Sequence, residues 1–336
     1  MNSARQRVIP LPIVAFMPAL VGGVAATALA LLTFGVQATV NPDHVPLAIG
    51  AEDPATAPAL AQLTQGVSAH GGDEISWQVV QSRADAVKLL DSKQVYGALL
   101  FTPSQSGLSA SIVLSGAVNP QATAVAQPIL LGIAQGVGAK AQIETIHPAS
   151  AAGRTLPLAG TALLWLTALI ASISALVLGP RLRGGAAIGR IGVLGVAAAA
   201  AVVGTGVVIG LGWLWDSSLT IDWSVAGFLA LSGLAFALLQ AAALRWLGFE
   251  AVALLAPFYL MAPAVAGLPP ELINPTYRAL LWSWTPFRFT SEGIRSLLFL
   301  GGDAPDVPPA IVLMLAIALG GAILVIARRK NPTVPA

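Results

Sequence analysis

The distribution of apolar residues constrains this chain more than any other feature. One long apolar run opens it, a polar segment spanning residues 41–154 follows, and five further apolar runs crowd into the remainder. The six runs are Leu11–Val36, Leu156–Leu178, Ile191–Trp213, Trp223–Leu244, Ala251–Leu268 and Pro309–Ala327, and none of them contains a charged residue. A helix needs about 20 apolar residues to cross the hydrocarbon core of a bilayer, and these runs meet that length. Composition agrees, because 56% of the residues are hydrophobic, 10% are charged and the mean hydropathy is +0.80, beyond what a water-soluble domain carries. The expected fold class is an α-helical polytopic membrane protein, six transmembrane helices in a one-plus-five arrangement, with one small external α/β domain.

The first run has two readings. Arg5 and Arg7 form a basic flank, and Val36-Gln37-Ala38 resembles a signal-peptide cleavage site. Its apolar core of about 25 residues is longer than the roughly 7–15 of a secretory signal, so a retained signal anchor is expected. Orientation follows from the basic residues of the short loops. Arg5 and Arg7 precede the first span, Arg181, Arg183 and Arg190 follow the second, Arg245 follows the fourth, and Arg328-Arg329-Lys330 follow the last. Every second loop is basic, which predicts that both termini lie in the cytoplasm and residues 41–154 outside, in a bacterial plasma membrane. The expected layout is 1–40 for the N-terminus and first span, 41–154 for the external domain, 155–327 for the five-helix part and 328–336 for a cytoplasmic tail. Tryptophans 213, 215, 223, 282 and 284 flank or occupy the outer loops, as an aromatic belt requires.

Between Asn41 and Arg154 the hydrophobic period changes. His44–Gly50, Glu74–Val80, Val95–Phe101 and Leu108–Leu114 read as strands. Thr56–Ala69, a segment starting at Ser82-Arg83-Ala84-Asp85 and ending near Ser92, and a long segment starting at Asn119-Pro120 with Pro128 inside it read as helices. The order βαβαββα argues for a small, partly parallel α/β sheet. No chemistry stands out there. His70 beside Asp73 and Glu74 reads as a solvated turn rather than a metal site, and without cysteine the chain has no disulfide or thiolate site.

Two features of the apolar part invite a functional reading. Gly206 and Gly210 are spaced as GxxxG in the third span, a packing seam within the chain or between two copies. The segment about 268–306 is neither loop nor span: Leu268-Pro269-Pro270 stops the fifth helix and Asn274-Pro275 breaks the chain again. In it Arg288, Glu292 and Arg295 share one helical face, with Phe287, Ile294, Leu297 and Leu298 on the other. This predicts a re-entrant or interfacial hairpin on the outer side, its charged face either snorkelling to headgroups or lining an exit path.

No Gly-Lys dipeptide occurs, so no P-loop is present. Neither an intramembrane acidic relay nor a hydrolase constellation is evident, which leaves catalytic and metal residues unassigned and disfavours a secondary carrier.

Specific residues carry a family likeness. Val45-Pro46-Leu47-Ala48-Ile49 directly after the first span, Ala84 to Pro103 with Val95-Tyr96-Gly97-Ala98-Leu99, and Trp284-Thr285-Pro286-Phe287-Arg288-Phe289 followed by Glu292-Gly293-Ile294-Arg295 resemble the permeases of the ABC type-2 exporter superfamily. The likeness is strongest to the branch of phage-infection-protein-like membrane proteins. That resemblance implies a homodimeric or paired permease, embedded in the lipid bilayer, that exports an amphiphilic substrate. It also implies a separate nucleotide-binding ATPase subunit that carries the ATP, with no cofactor in this chain and no nucleic acid. The loop from Pro180 to Arg190 would be the ATPase-coupling element. The competing expectation is a non-transporting surface or secretion scaffold whose external domain binds a partner.

Overall fold

The computed structural model describes residues 11–69, 72–105 and 107–327; Arg5, Arg7, His70 and Arg328-Arg329-Lys330 lie outside them. The described chain is mostly helical, with one small α/β region. It begins with α1 (Leu11–Ala38) and enters the sheet region through β1 (Val45–Ala51), α2 (Ala57–Ser68), β2 (Ile75–Val80) and α3 (Arg83–Asp91). The region continues through β3 (Ala98–Ser104), β4 (Gly107–Ser115), α4 (Pro120–Gly136) and β5 (Lys140–Ile146). The sheet order is β2-β1-β3-β4-β5, with only the β3–β4 pair antiparallel. Residues alternate between its faces as the pleat requires. Leu47, Ile49, Leu99, Phe101 and Ile112 join α2 and α4 in one core, whereas Ala48, Ala98, Leu100 and Val113 join α3 in another.

The strand and helix order read from the sequence holds as far as it goes, with the third strand displaced to Ala98–Ser104. The fifth strand is an addition to it. Lys140–Ile146 is an edge strand paired parallel to β4 and largely exposed on both faces, so it lacks the apolar alternation that marks a half-buried strand. The expected caps are present: Ser82 accepts from the Asp85 amide at 3.1 Å and Asn119 from the Gln121 amide at 2.9 Å.

The remaining helices are α5 (Ala151–Leu182), α6 (Arg190–Trp215), α7 (Trp223–Leu247), α8 (Ala251–Ala266), the single turn α9 (Pro275–Tyr277), α10 (Pro286–Phe299) and α11 (Val307–Ile326). Among the described residues five helical stretches are long and apolar enough to cross a membrane: Leu20–Ala38, Ala151–Leu182, Arg190–Trp215, Trp223–Met261 and Val307–Ile326. The expected fifth span does not stand as a separate membrane-length helix. At 16 residues α8 rises about 24 Å, short of the roughly 30 Å hydrocarbon thickness.

Nor do α7 and α8 form one rod. Phe236 of α7 and Phe258 of α8 lie 6.0 and 6.1 Å from the ring of Phe287, whereas a straight helix would hold residues that far apart in sequence about 33 Å from each other. The chain therefore folds back at Gly248, whose φ of 74° suits glycine alone at low cost. Trp165 of α5 ties the returning arm down: its Nε1 donates to the Leu255 carbonyl at 3.3 Å, and its own carbonyl accepts from Gln240 Nε2 at 3.1 Å. Such bonds join helices where lipid offers no competing partner.

In the bundle α5, α6, α7 and α11 pack on one another, and α10 is wedged against α5, α8 and α11. By contrast α1 stands apart, packing on α8 and placing Gly35 under the Tyr277 hydroxyl.

Candidate functional site

The chemistry of this protein collects where the α/β region meets α10. After Ala266 the chain passes through the turn Pro270–Leu272, α9 and a π-helical turn at Arg278–Trp282 before entering α10. The prolines at 269, 270, 275 and 286 break it into these short pieces, because each removes an amide donor and fixes φ. Phe287, Ile294 and Leu297 bury one face of α10 in the bundle core. The opposite face carries Glu292.

Glu292 is the hub. Its Oε2 accepts from Lys93 Nζ at 3.1 Å, and its Oε1 accepts from Asn119 Nδ2 at 3.3 Å and from Arg295 Nη1. Lys93 also donates to Asp306 Oδ2 at 2.7 Å, and that oxygen accepts from Ser296 Oγ at 3.2 Å. Two cations thus meet two carboxylates, drawn from the turn after α3, from α10 and from the start of α11, with the cap of α4 beside them. Nearby, the Tyr96 hydroxyl donates to Glu271, and the Asp43 amide donates to the Glu271 carbonyl at 2.9 Å. These contacts bolt the sheet region to the segment leading into the last helix.

Burial sets the stakes. Side-chain exposure is 2% for Arg295, 11% for Lys93 and 24% for Glu292. Burial pushes the Glu292 carboxyl up, but the Arg295 and Lys93 charges and their hydrogen bonds outweigh it and hold the group at about 2. Tyr96 is pushed the other way, first by burial and then by the Glu271 carboxylate, so it stays a neutral donor.

Linkage gives the sign of the acid response. The folded value of about 2 lies below the ordinary 4.5, so the stabilisation is complete above that ordinary value and is lost as pH falls toward the folded one. Hydrogen-exchange protection factors at the junction, taken against the intrinsic rate at each pH, are expected to fall across this window. Glu292→Gln should remove that part of the pH dependence, and an unchanged profile in the variant would assign the response to other carboxylates.

The sequence brought Arg288, Glu292 and Arg295 together on one face; the structure separates their environments. Glu292 and Arg295 pair with each other, and Glu292 is bound in turn by Lys93. Arg288 stays at the periphery, its guanidinium carbon 3.9 Å from the Trp282 ring centre and 3.8 Å from that of Phe289. The pair is therefore a buried ion pair, not a snorkelling surface pair, because the ends of α3 and α4 cover it, and their packing is a tertiary fact invisible in the helix alone.

Lys93 and Asp306 do not stand out in the sequence, although Lys93 leaves a trace. It occupies the residue after the cap of α3 with φ of 55°. Gln94 and Lys93 amides return to the Leu89 and Leu90 carbonyls at 2.9 and 3.0 Å, the bonding of a helix end that favours glycine. A lysine where glycine is cheaper signals a side chain needed elsewhere.

Two clefts flank this junction. One of about 300 Å³ is lined by Lys93, Tyr96, Glu271, Arg288, Glu292 and Asp306. The second, of about 580 Å³, lies on the other side of Arg295, between the end of α1 and the starts of α4 and α5. At the far end of α5, Arg181 in its last turn and Arg183 at its cap are exposed, and Arg190 opens α6. Pro180 is accommodated in the last turn of α5, so it does not end the helix; Gly184 and Gly185, with φ of 62° and 93°, do. Beside this loop a cleft of about 290 Å³ is lined by Pro180, Ile188, Leu244 and Arg245.

Among the described residues none comes within 4 Å of where a Cβ would stand on Gly206 or Gly210, and close approach falls instead to Gly204 and Gly212. Among the described residues no group of three or more His, Cys, Asp or Glu side chains could hold a metal. Comparison with protein-family models, with curated proteins and with solved structures found no match.

Proposed function

We propose that this chain is the membrane-spanning permease subunit of an exporter of the ABC type-2 kind, moving an amphiphile outward under the power of a separate ATPase subunit. In this reading both termini are cytoplasmic, α8 completes a sixth crossing as a short helix, and the α/β region lies outside. The observation that carries it is α10: an amphipathic helix, set between two clefts at one end of the bundle and bound by buried charges to the α/β region. A helix so held can couple movement of the bundle to the outer region. At the opposite end, the exposed arginines 181 and 183 beside an apolar cleft offer a docking point for a motor subunit. Gly206 and Gly210 offer a seam for a second permease copy.

The experiment is affinity purification of the chain from its native membrane, scored for a nucleotide-binding subunit and for ATPase activity. Arg181→Glu with Arg183→Glu should cut recovery of that subunit by about tenfold or more, since two charge reversals at a partly desolvated contact cost several kcal/mol. Insertion and yield should stay unchanged. No nucleotide-binding subunit in the wild-type preparation would sink the proposal.

One observation favours the scaffold reading instead. An apolar groove of about 730 Å³ runs between α2 and α4 past Leu63, Ile75, Trp77, Ile129 and Ile133, and the Trp77 Nε1 is buried there without a hydrogen-bond acceptor among the described residues. If the α/β region serves mainly to bind a protein partner, this groove is where it binds. Recovery of such a partner without any ATPase would favour that account.

A further inference from the structure

We infer that the cleft between the ends of α1, α4 and α5 is a binding site for the anionic headgroup of a membrane amphiphile, a phosphate or carboxylate on an acyl-bearing molecule. Charge makes the first argument. Arg154 and Arg295 line the cleft, and among the described residues no acid does, whereas the neighbouring cleft mixes Lys93 and Arg288 with three carboxylates. Arg295 is 2% exposed, and its Nη1 is committed to Glu292, yet its Nε is buried with no acceptor among the described residues. A guanidinium presents several donors in a rigid fork suited to phosphate or carboxylate oxygens. An unpartnered buried donor of that kind is costly unless something fills the place.

Arg154 supplies the second argument. It lies in the first turn of α5, where the helix dipole disfavours a cation, and no acid shares that turn. Its side chain has no hydrogen bond or ion pair among the described residues. An anion seated between Arg154 and Arg295 would relieve both positions. The N-terminal ends of α4 and α5 also converge here, near Gln121 and Arg154, adding their partial positive charge.

Position gives the third argument. The cleft sits at the level where two membrane-length stretches, Leu20–Ala38 and Ala151–Leu182, end and begin, the level of headgroups. Beyond the arginines and the polar Gln37, Gln121 and Thr155, its walls are apolar, with Val40, Val125, Leu158 and Leu272 among them. Because α1 packs on α8 and stands away from α5, a tail can leave the cleft sideways into lipid between α1 and α5. A headgroup held by arginines with its chain in lipid follows the same division that makes basic pockets between transmembrane helices bind acidic lipids.

The inference does not rest on transport, and its test uses neither nucleotide nor partner, so its failure leaves the exporter proposal standing. The purified full-length chain is placed in vesicles of phosphatidylcholine alone or with phosphatidylglycerol, and retention of a labelled phosphatidylglycerol is measured. Wild type should prefer the anionic lipid over the zwitterionic one by about fivefold or more. Arg154→Gln should reduce that preference about fivefold, since one basic residue at a membrane surface contributes on the order of that factor, and Arg154→Lys should restore most of it. Arg154 is exposed and its side chain unpaired, so these variants should fold. Equal retention of both lipids, or an unchanged preference in Arg154→Gln, would overturn the site. Glycerol phosphate should fail to displace the lipid at millimolar concentration; displacement would assign the cleft to a free anion and overturn the membrane source.

Discussion

Replacing Glu292 by glutamine should destabilise the junction between the α/β region and α10 by about 3–5 kcal/mol, the range for removing one member of a buried ion pair. A pair on an exposed helix face would contribute only about 0.3–0.5 kcal/mol, so the measurement separates the two environments cleanly. Glutamine keeps one acceptor oxygen, but it cannot compensate the charges of Lys93 and Arg295 together. Asp306 reaches Lys93 at 2.7 Å; among the described residues only Glu292 pairs with Arg295. The buried guanidinium would therefore be left with its charge unmatched. Lys93→Met should cost less, because Arg295 remains to match Glu292 and the stranded Asp306 is 35% exposed. The measurement is thermal unfolding in detergent with protease cleavage of the α/β region as readout. A Glu292→Gln protein that melts with wild type would show that the cluster is solvated and structurally idle.

How much of this was legible in the sequence depends on whether the signal is local. The runs that became α5, α6, α7 and α11 announce themselves by length and lack of charge, since each must satisfy its backbone internally. Ser82 and Asn119 mark helix starts because capping is chemistry within four residues. The reversal near Gly248 is legible in the separate apolar runs Trp223–Leu244 and Ala251–Leu268 with basic Arg245 between them. What escapes is how the two arms close on one ring, which rests on the tertiary contacts of Phe236 and Phe258 with Phe287. β5 escapes for a different reason: an edge strand buries too little to impose a pattern.

The candidate site shows the same division. The face Arg288, Glu292, Arg295 follows from helical spacing, and α10 indeed carries all three. Their partners come from residues 93, 119 and 306, the first two far away in sequence, and no local rule joins these positions. Asn119 illustrates the limit well. Its capping of α4 is predictable from Asn-Pro, whereas the bond from its Nδ2 to Glu292 depends on how α4 docks. The GxxxG pair points the other way: the motif is plain in the sequence, but the glycines that permit close approach within the chain are Gly204 and Gly212, against Leu164 and Leu156.

The polar face of α10 is half of what holds it; the other half is Phe287, and its removal makes the second large prediction. This ring is fully buried and sits 5.1 Å from Trp165 in an edge-on contact, with Phe236 and Phe258 at 6.0 and 6.1 Å. It touches α5, α7 and α8 at once. Deleting such a ring from a water-soluble core costs about 3–5 kcal/mol. Within a bilayer the transfer part of that cost shrinks, because lipid is as apolar as the core, while the lost packing remains. Phe287→Ala is therefore expected to cost about 2–3 kcal/mol and Phe287→Leu less. If α10 transmits force as one rigid helix, the cavity at Phe287 must also disturb the ion pairs on its opposite face. Phe287→Ala and Glu292→Gln should then be non-additive by about 0.5–3 kcal/mol in a double-mutant cycle, the range for coupled neighbours. Additive losses would mean that the two faces respond independently, and the coupling role given to α10 would fail with them.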